Sequence, residues 1–317
     1  MKQQIIDLWK ISFDDTDDFI RLWFDHVYKD DQTLIIRQNG QIVSALQILP
    51  CEMTYCGTTV PIGYICGVCT LPAERGKGYM SRLMHQAVAT MQNRGYALAV
   101  LIPASPQLFD LYRRFEFADA FDYSIEEIHS EKTRHCDRSE AIQEIKLQRI
   151  ISYDIHLSDT IYPYYHAKQC ERNCSVLHSA RQFDIICRDQ MLGGCEIWLA
   201  LANEQPVGLA FVNQVNDKTL SIREIMYNHP TIKNQLIQSI LNHHQSDSAK
   251  LRIPPTPSHS IPYGMALVIN KVQMIDLYCS FYSNARLPIY FKVDNPSLTQ
   301  RLLNYNNRQP FMNLMLD

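Results

Sequence analysis

The sequence predicts an α/β fold with a mixed sheet, written twice along the chain and followed by a short C-terminal extension. Three observations carry this reading. Tyr96–Ile102 (YALAVLI) is a continuous apolar run of the kind a strand buried on both faces requires. Tyr79–Asn93 places Leu83, Met84, Ala87, Val88 and Met91 on one stripe of a helix, directly after a predicted strand. The order strand, turn, strand, strand, helix then recurs over Ile197–Ala200, Asn203-Glu204-Gln205, Val207–Val212, Leu220–Met226 and Thr231–His243.

Taken in order, a strand is expected near Ile5–Ser12. The stretch Asp15–Tyr28 follows as a helix with Phe19, Leu22, Trp23 and Val27 at helical spacing and acidic residues at its start. Thr33–Ile36 and Ile42–Leu49 flank Gln38-Asn39-Gly40, and Asn-Gly between two such runs signals a hairpin. Strands near Glu52–Tyr55 and Tyr64–Thr70 lead to a Gly-containing turn and the Tyr79–Asn93 helix, with Gly95 where a C-cap belongs. A short helix near Pro106–Phe115 and a strand near Phe121–Ile128 complete the first unit. His129–Lys146 is dense in charge and reads as a linker or solvated helix. After the second unit, Pro254, Pro255 and Pro257 mark a boundary, and Met265–Ile269 and Pro288–Val293 are strand candidates. The chain thus divides into 1–128, a linker 129–148, a second unit 149–257 and a C-terminal region 258–317. A length of 317 residues suits two domains at about 150 residues each.

Composition narrows the function. Thirty basic against 33 acidic residues give a net charge of -3, so no basic surface for nucleic acid is expected. No run approaches the roughly 18 apolar residues of a membrane span, and the N-terminus lacks the apolar core of a secretory signal. The expected setting is cytoplasmic, with the ten cysteines reduced.

The informative segment is Val68-Cys69-Thr70-Leu71-Pro72-Ala73-Glu74-Arg75-Gly76-Lys77-Gly78-Tyr79-Met80. A strand end, a basic glycine turn and an immediate helix aim free backbone N–H groups and the positive end of the helix at one place, which suits a phosphate or pyrophosphate. Gly76 and Gly78 allow close backbone approach, while Arg75 and Lys77 add charge. The competing reading is an ordinary strand-to-helix turn with exposed basic residues. Two known phosphate loops do not fit: a Walker A loop would need Gly at Leu71 and Ser or Thr at Gly78, and a dinucleotide fingerprint would need Gly at Ser81.

The segment resembles motif A of the GNAT acetyltransferases, a V-x-V/T-x-P strand end leading into Arg-x-x-Gly-x-Gly/Ala. Val68, Thr70, Pro72, Arg75 and Gly78 match, and Met80 replaces the final small residue. Leu111-Tyr112-Arg113-Arg114-Phe115-Glu116-Phe117 resembles the family's Tyr-x-Arg/Lys-Phe-Gly-Phe/Tyr motif, with Glu116 in the Gly position. The element order resembles the enhanced-intracellular-survival (Eis) type, which joins an active GNAT domain, a degenerate one and a sterol-carrier-protein-like region; here that last region is expected to be much shorter than is usual in that type. The resemblance implies acetyl-CoA as co-substrate, held by Val68, Cys69, Thr70, Arg75, Gly76, Lys77, Gly78, Tyr79 and Met80, with Ser105 on the acceptor or pantetheine side. It implies Tyr112 as the acid that protonates the leaving thiolate; a phenol of pKa about 10 can share a proton with a thiolate whose acid has pKa about 8.5. A core ring among Phe109, Phe115 and Phe117 is the bland alternative for Tyr112.

The expected reaction is acetyl transfer to a primary amine, whether aminoglycoside, polyamine, peptide or small metabolite. The alternative is a non-catalytic acyl-CoA-binding or regulatory protein. No metal, nucleic acid or membrane partner is expected, and oligomeric state is not legible. His166, Cys170, Cys174 and His178 recur every four residues, but each step of four turns a helix by roughly 40°, so four such residues spread along a helix face instead of meeting at one ion. Cys66-x-x-Cys69 lacks a second pair and reads as structural. Asp14, Asp15, Asp17 and Asp18 read as a solvated helix start, or as a lure for a cationic amine. The second unit has Met226-Tyr227-Asn228-His229-Pro230 at the place of motif A, with no glycine turn.

Overall fold

A computed structural model of the chain describes residues 1–130, 145–152, 154–256, 260–282, 294–304, 307 and 310–315. It opens on two helices, α1 (Lys2–Ser12) and α2 (Asp17–His26), which Thr16 separates by capping α2. The strand expected over Ile5–Ser12 is therefore a helix. Ile5, Leu8 and Trp9 are its buried residues, spaced i, i+3, i+4, and this period outweighs the short apolar run that suggested a strand. Next come β1 (Thr33–Gln38) and β2 (Gln41–Tyr55), joined by Asn39 and Gly40, both at positive φ. That two-residue turn matches the twist of the hairpin. The two strands expected over Ile42–Leu49 and Glu52–Tyr55 are one. Pro50 interrupts the run without breaking it, because β2 pairs with β1 only as far as Gln47 and with β7 (Val176–Leu177) from Glu52, leaving the edge open between them.

β3 (Thr58–Thr70), α3 (Tyr79–Asn93), β4 (Leu98–Leu101), α4 (Pro106–Arg113) and β5 (Ala118–His129) complete the first half. The second half runs β6 (Lys146–Ile150), α5 (Ile155–Cys170), β7, α6 (Ala180–Leu192), β8 (Glu196–Ala202), β9 (Gln205–Asn216), β10 (Thr219–Tyr227), α7 (Pro230–His244) and β11 (Ser248–Ile253). β12 (Ile261–Val268), α8 (Lys271–Phe281) and α9 (Asn295–Leu302) follow. The end of the charged segment is not linker or helix but the edge strand β6, whose Arg149 forks onto Glu196 of β8 at 2.5 and 2.8 Å; residues 131–144 lie outside the described residues. So does the strand expected over Pro288–Val293. Helix α6 carries the capping box Ser179/Gln182, a signal present in the sequence. α5, with Pro163 inside it, has no clear amphipathic stripe, which is why periodicity did not reveal it.

The two halves form one sheet in the order β1-β2-β3-β4-β12-β5-β11-β10-β9-β8-β6. The inserted strand is the decisive feature. β12, from beyond the second half, lies antiparallel between β4 (Met265↔Leu101 to Val268↔Leu98) and the first part of β5 (Ile261↔Tyr123 to Ala266↔Ala118). The remainder of β5 crosses to the other half and pairs with β11 (Ser124↔Ile253 to His129↔Ser248). α3 and α4 cover one face of the first half over Leu46, Ile65, Leu83, Met84, Met91 and Phe117, and α7 covers the corresponding face of the second. On the opposite face α1, α2, α5 and α6 share one core, which includes Trp9, Trp23, Tyr165, Phe183 and Phe211. No helix among the described residues is long and apolar enough to cross a membrane.

The interleaving yields a prediction. Residues 1–130 expressed alone lack β12, so β4, whose Leu98, Ala99, Val100 and Leu101 are at most 1% exposed in the whole chain, is left with a bare apolar edge. That fragment should show no cooperative thermal transition by circular dichroism; a sharp two-state melt would contradict the shared sheet.

Candidate functional site

The site forms where β3 and β4 part. Their parallel pairing covers only Ile62↔Leu98 to Ile65↔Leu101, after which β3 continues to Thr70 supported by β2 alone. Between Ala45↔Cys69 and Gln47↔Cys66, three steps of β3 face two of β2, so β3 bulges around Gly67-Val68. Gly67 has φ +58, and a Cβ there would lie 2.5 Å from the Trp9 ring. The indole of Trp9 in turn donates to Asp15 at 2.7 Å, while the Trp23 indole donates to Gln47 Oε1 at 3.2 Å. Two tryptophans from α1 and α2 thus press the bulge into place. The end of β3 is tied to β2 by Ser44 Oγ, which donates to the Cys69 carbonyl at 2.8 Å and lies 2.8 Å from Thr70 Oγ1.

Beyond Thr70 the chain makes a single 3-10 turn at Pro72–Glu74 and passes Arg75 in extended form to Gly76 and Gly78, each at φ +79. Gly78 occupies the N-cap of α3 and so offers no side chain to its first N–H groups. A Cβ at either glycine would meet nothing within 4 Å, so the ground before the helix end is open. The Arg75 guanidinium reaches back to the Thr70 carbonyl (Nε to O, 3.3 Å), and Lys77 Nζ is paired with Glu74 at 2.9 Å. Met80 is half-buried and packs against the cluster beneath α3. The same chain position in the second half looks different. β10 passes to α7 through Asn228 and His229 alone, Pro230 has no N–H, and the His229 side chain caps Thr231 N.

The other wall of the wedge is the chain leaving β4, with Ser105 at the N-cap of α4 and Tyr112 near the helix end. Tyr112 is 6% exposed, beside Phe109 and Phe117. Burial, reinforced by the thiol of Cys66 across the wedge, pushes its hydroxyl pKa up to about 12. The Cys66 and Cys69 thiols are likewise raised by burial and lie 4.0 and 3.8 Å from the Gln47 and Ala45 carbonyls. Glu116 stands at φ +64, a conformation that favours glycine, with its carboxylate bonded to Asn295 of α9.

The remaining candidates do not converge on this wedge. Asp17 and Asp18 pair with Lys10 and Arg21, and Asp15 holds Trp9, so this acidic cluster is a helix start tied to its neighbours. His166 and Cys170 adjoin within α5, at 3.5 Å between Nε2 and Sγ. Cys174 lies past the helix end at φ +56 and His178 beside the Asn313 carbonyl, so the four do not share one helix face. A cavity of about 540 Å³ sits elsewhere, between the end of α2, the middle of β2, α5 and α6. The sequence reading missed Trp9, Trp23, Gln47 and Gly67 in the wedge. A lone Gly inside a strand pattern was the available signal.

A family model described as an acetyltransferase (GNAT) domain matches residues 2–120. Among solved structures, the chain is similar to a conserved protein of unknown function from Enterococcus faecalis V583 (TM-score 0.67, 18% identity, covering 84% of this chain and 70% of that one). It is also similar to a GCN5-related N-acetyltransferase from Anabaena variabilis (0.66, 16%, 87% and 72%) and to Eis1 from Mycobacterium abscessus (0.65, 12%, 86% and 72%). At these identities the likeness is one of fold. No curated protein sequence matches.

The bulge can be tested by stability. Gly67→Ala puts a Cβ into the Trp9 ring at a backbone angle that disfavours it, so unfolding in urea should require about 2–4 kcal/mol less free energy. Trp9→Leu in the same chain should restore part of the loss; no rescue would show that the ring is not what holds Gly67.

Proposed function

Because residues 2–120 carry a GNAT acetyltransferase domain, we propose that this chain transfers the acetyl group of acetyl-CoA to a primary amine at the β3/β4 wedge. One observation carries the reading: an uncapped helix N-terminus behind two left-handed glycines stands at one end of a wedge whose far wall holds a buried phenol. The N–H groups at the start of α3 and the Arg75 guanidinium provide for a pyrophosphate. The open space at Gly76 and Gly78 lets the phosphate oxygens come within hydrogen-bond reach of the backbone.

The chemistry at the other end follows from geometry and proton affinity. The bulge at Gly67-Val68 takes backbone amides out of the β2/β3 ladder, which frees them to polarise a thioester carbonyl and hold its oxyanion. The amine attacks in its neutral form, and its excess proton leaves to water or a carboxylate. As the C–S bond breaks, the Tyr112 hydroxyl donates to the departing sulfur. With its pKa near 12 the phenol stays protonated at neutral pH and is ready to donate. Handing its proton fully to a thiolate of ordinary basicity is uphill, so its main work is a hydrogen bond that strengthens as negative charge grows on sulfur. Burial in the same wedge raises the thiol's own pKa and narrows that gap. The two departures from the motif are both tied into the fold, since Met80 packs against the cluster beneath α3 and Glu116 accepts a hydrogen bond from Asn295. That favours turnover over a binding-only role. The second half contributes strands and a shared core, not a second coenzyme site.

Two substitutions check the reading. Gly78→Glu places a carboxylate where the pyrophosphate is held, so acetyl-CoA affinity measured by calorimetry should fall at least about tenfold, or 1.4 kcal/mol. Unchanged affinity in the folded variant sinks the assignment. Tyr112→Phe keeps the ring in its cluster and should leave both the melting temperature and acetyl-CoA affinity nearly unchanged. Its kcat in a thiol-release assay should drop by roughly 10²-fold. Parent-like turnover on the best amine would make Tyr112 a packing residue.

A further inference from the structure

A second pocket, of about 330 Å³, opens at the seam between the halves. It is built on one face of the sheet by Tyr123 of β5, Arg223 of β10, Lys250 and Arg252 of β11 and Tyr263 of β12. The register explains why these side chains meet. Arg252 lies opposite Ile125 and Lys250 opposite Glu127 across β5, and Ser221 lies beside Lys250 across β10, so the alternate residues of four strands share that face.

Arg252 is the centre of it. Its guanidinium lies 4.1 Å from the Tyr123 ring centroid and 3.8 Å from that of Tyr263, in the corner made by two rings at 85° to each other. Its Nε and Nη2 are covered from solvent and have no hydrogen-bond partner among the described residues. Neither Arg223, Lys250 nor Arg252 is within 4.0 Å of a described carboxylate; Arg223 donates to Gln190 Oε1 at 3.3 Å, and Glu127, the acid nearest in register, is exposed beside Lys250. Three cations on one wall, with the unmet donors of Arg252 stiffened by aromatic contacts at its centre, ask for an oxyanion with more than one acceptor.

The pocket also lies at the right end of the sheet. β12 runs antiparallel to β4 with Met265 opposite Leu101, which puts Tyr263 alongside the point where the chain leaves β4 to form the wall of the wedge. β11 is three strand steps from β4, so Arg252 stands on the order of 14 Å across the sheet from β4, and its register places it further along the strand direction than Tyr263. Resting on the acetyl-transfer reading above, we propose that the seam pocket binds a carboxylate or phosphate group of the amine acceptor. The acceptor would then be an elongated molecule with its amine and its anionic group on the order of 15 Å apart.

The test uses the full chain and 12-aminododecanoate, whose extended length suits that span, against its neutral amide. By calorimetry the acid should bind at least tenfold more tightly than the amide, and Arg252→Gln should abolish the preference. Lys250→Gln, at an exposed position, tests the same point should the first variant fold poorly, and should weaken the preference several-fold. Competition by inorganic phosphate or by acetate decides which oxyanion the pocket favours. Equal binding of acid and amide, or a preference untouched by both variants, overturns the proposal. Asp317→Asn is the control for the chain's own acidic side chain: a tenfold gain in acid affinity would show that Asp317 occupies the pocket, and would overturn it too. If no amine is acetylated while the Arg252-dependent preference persists, the transferase reading fails and the anion site stands; if amines are acetylated with no preference for the acid, the reverse holds.

Discussion

β4 and β5 do not pair with each other, and the place between them is taken by β12. Nearly everything distinctive about the molecule depends on this one strand position. β12 satisfies the ladder groups of β4 on the side away from β3, which leaves β3 and β4 free to separate after four paired residues. It also holds the first part of β5 in register, so that the rest of β5 can reach across and complete the second half. Neither half has a finished sheet by itself. The fused core of α1, α2, α5 and α6 follows from the same arrangement, because strands joined edge to edge bring their covering helices side by side.

The two halves offer a comparison within one chain. Each presents a strand, a connection and a helix at the same place, yet only the first connection leaves the helix end open. Eight residues separate Thr70 from Tyr79, enough for a 3-10 turn and two residues in left-handed conformation. In the second half, Asn228 and His229 alone lead into Pro230, and the helix end is closed by its own side chain and by the ring that has no N–H. The peptide dipoles of the two helices are alike; what differs is whether the chain leaves the positive end open.

The wedge is held from behind as well as lined from in front. Position 67 requires glycine twice over, because its φ is positive and Trp9 leaves no room for a side chain, and Gln47, opposite Cys66 in β2, is fixed by the Trp23 indole. The hydroxyl of Tyr112 and the bulged backbone are thus placed by rigid elements on opposite sides, with α1 and α2 packed into the core behind the bulge.

What the sequence settled by itself was local. Asn39-Gly40 made a hairpin because both residues tolerate positive φ, Tyr79–Asn93 became a helix over its full expected length, and Gly76 and Gly78 opened the turn before it. These choices are made between neighbours within a few residues of one another. Local rules also misled: in Lys2–Ser12 a short apolar run read as a strand, though its buried residues lay at helical spacing, and α5 hid its helix behind mixed polar and apolar residues with no single stripe and a Pro163 inside. The tertiary structure decided the rest. That Ile261–Val268 would slip between strands some 150 residues upstream, that Trp9 would shape a bulge at Gly67, and that Arg252 would sit between Tyr123 and Tyr263 are matters of long-range pairing. A strand's pattern tells which of its faces is buried; it does not tell which other strand will supply its hydrogen bonds.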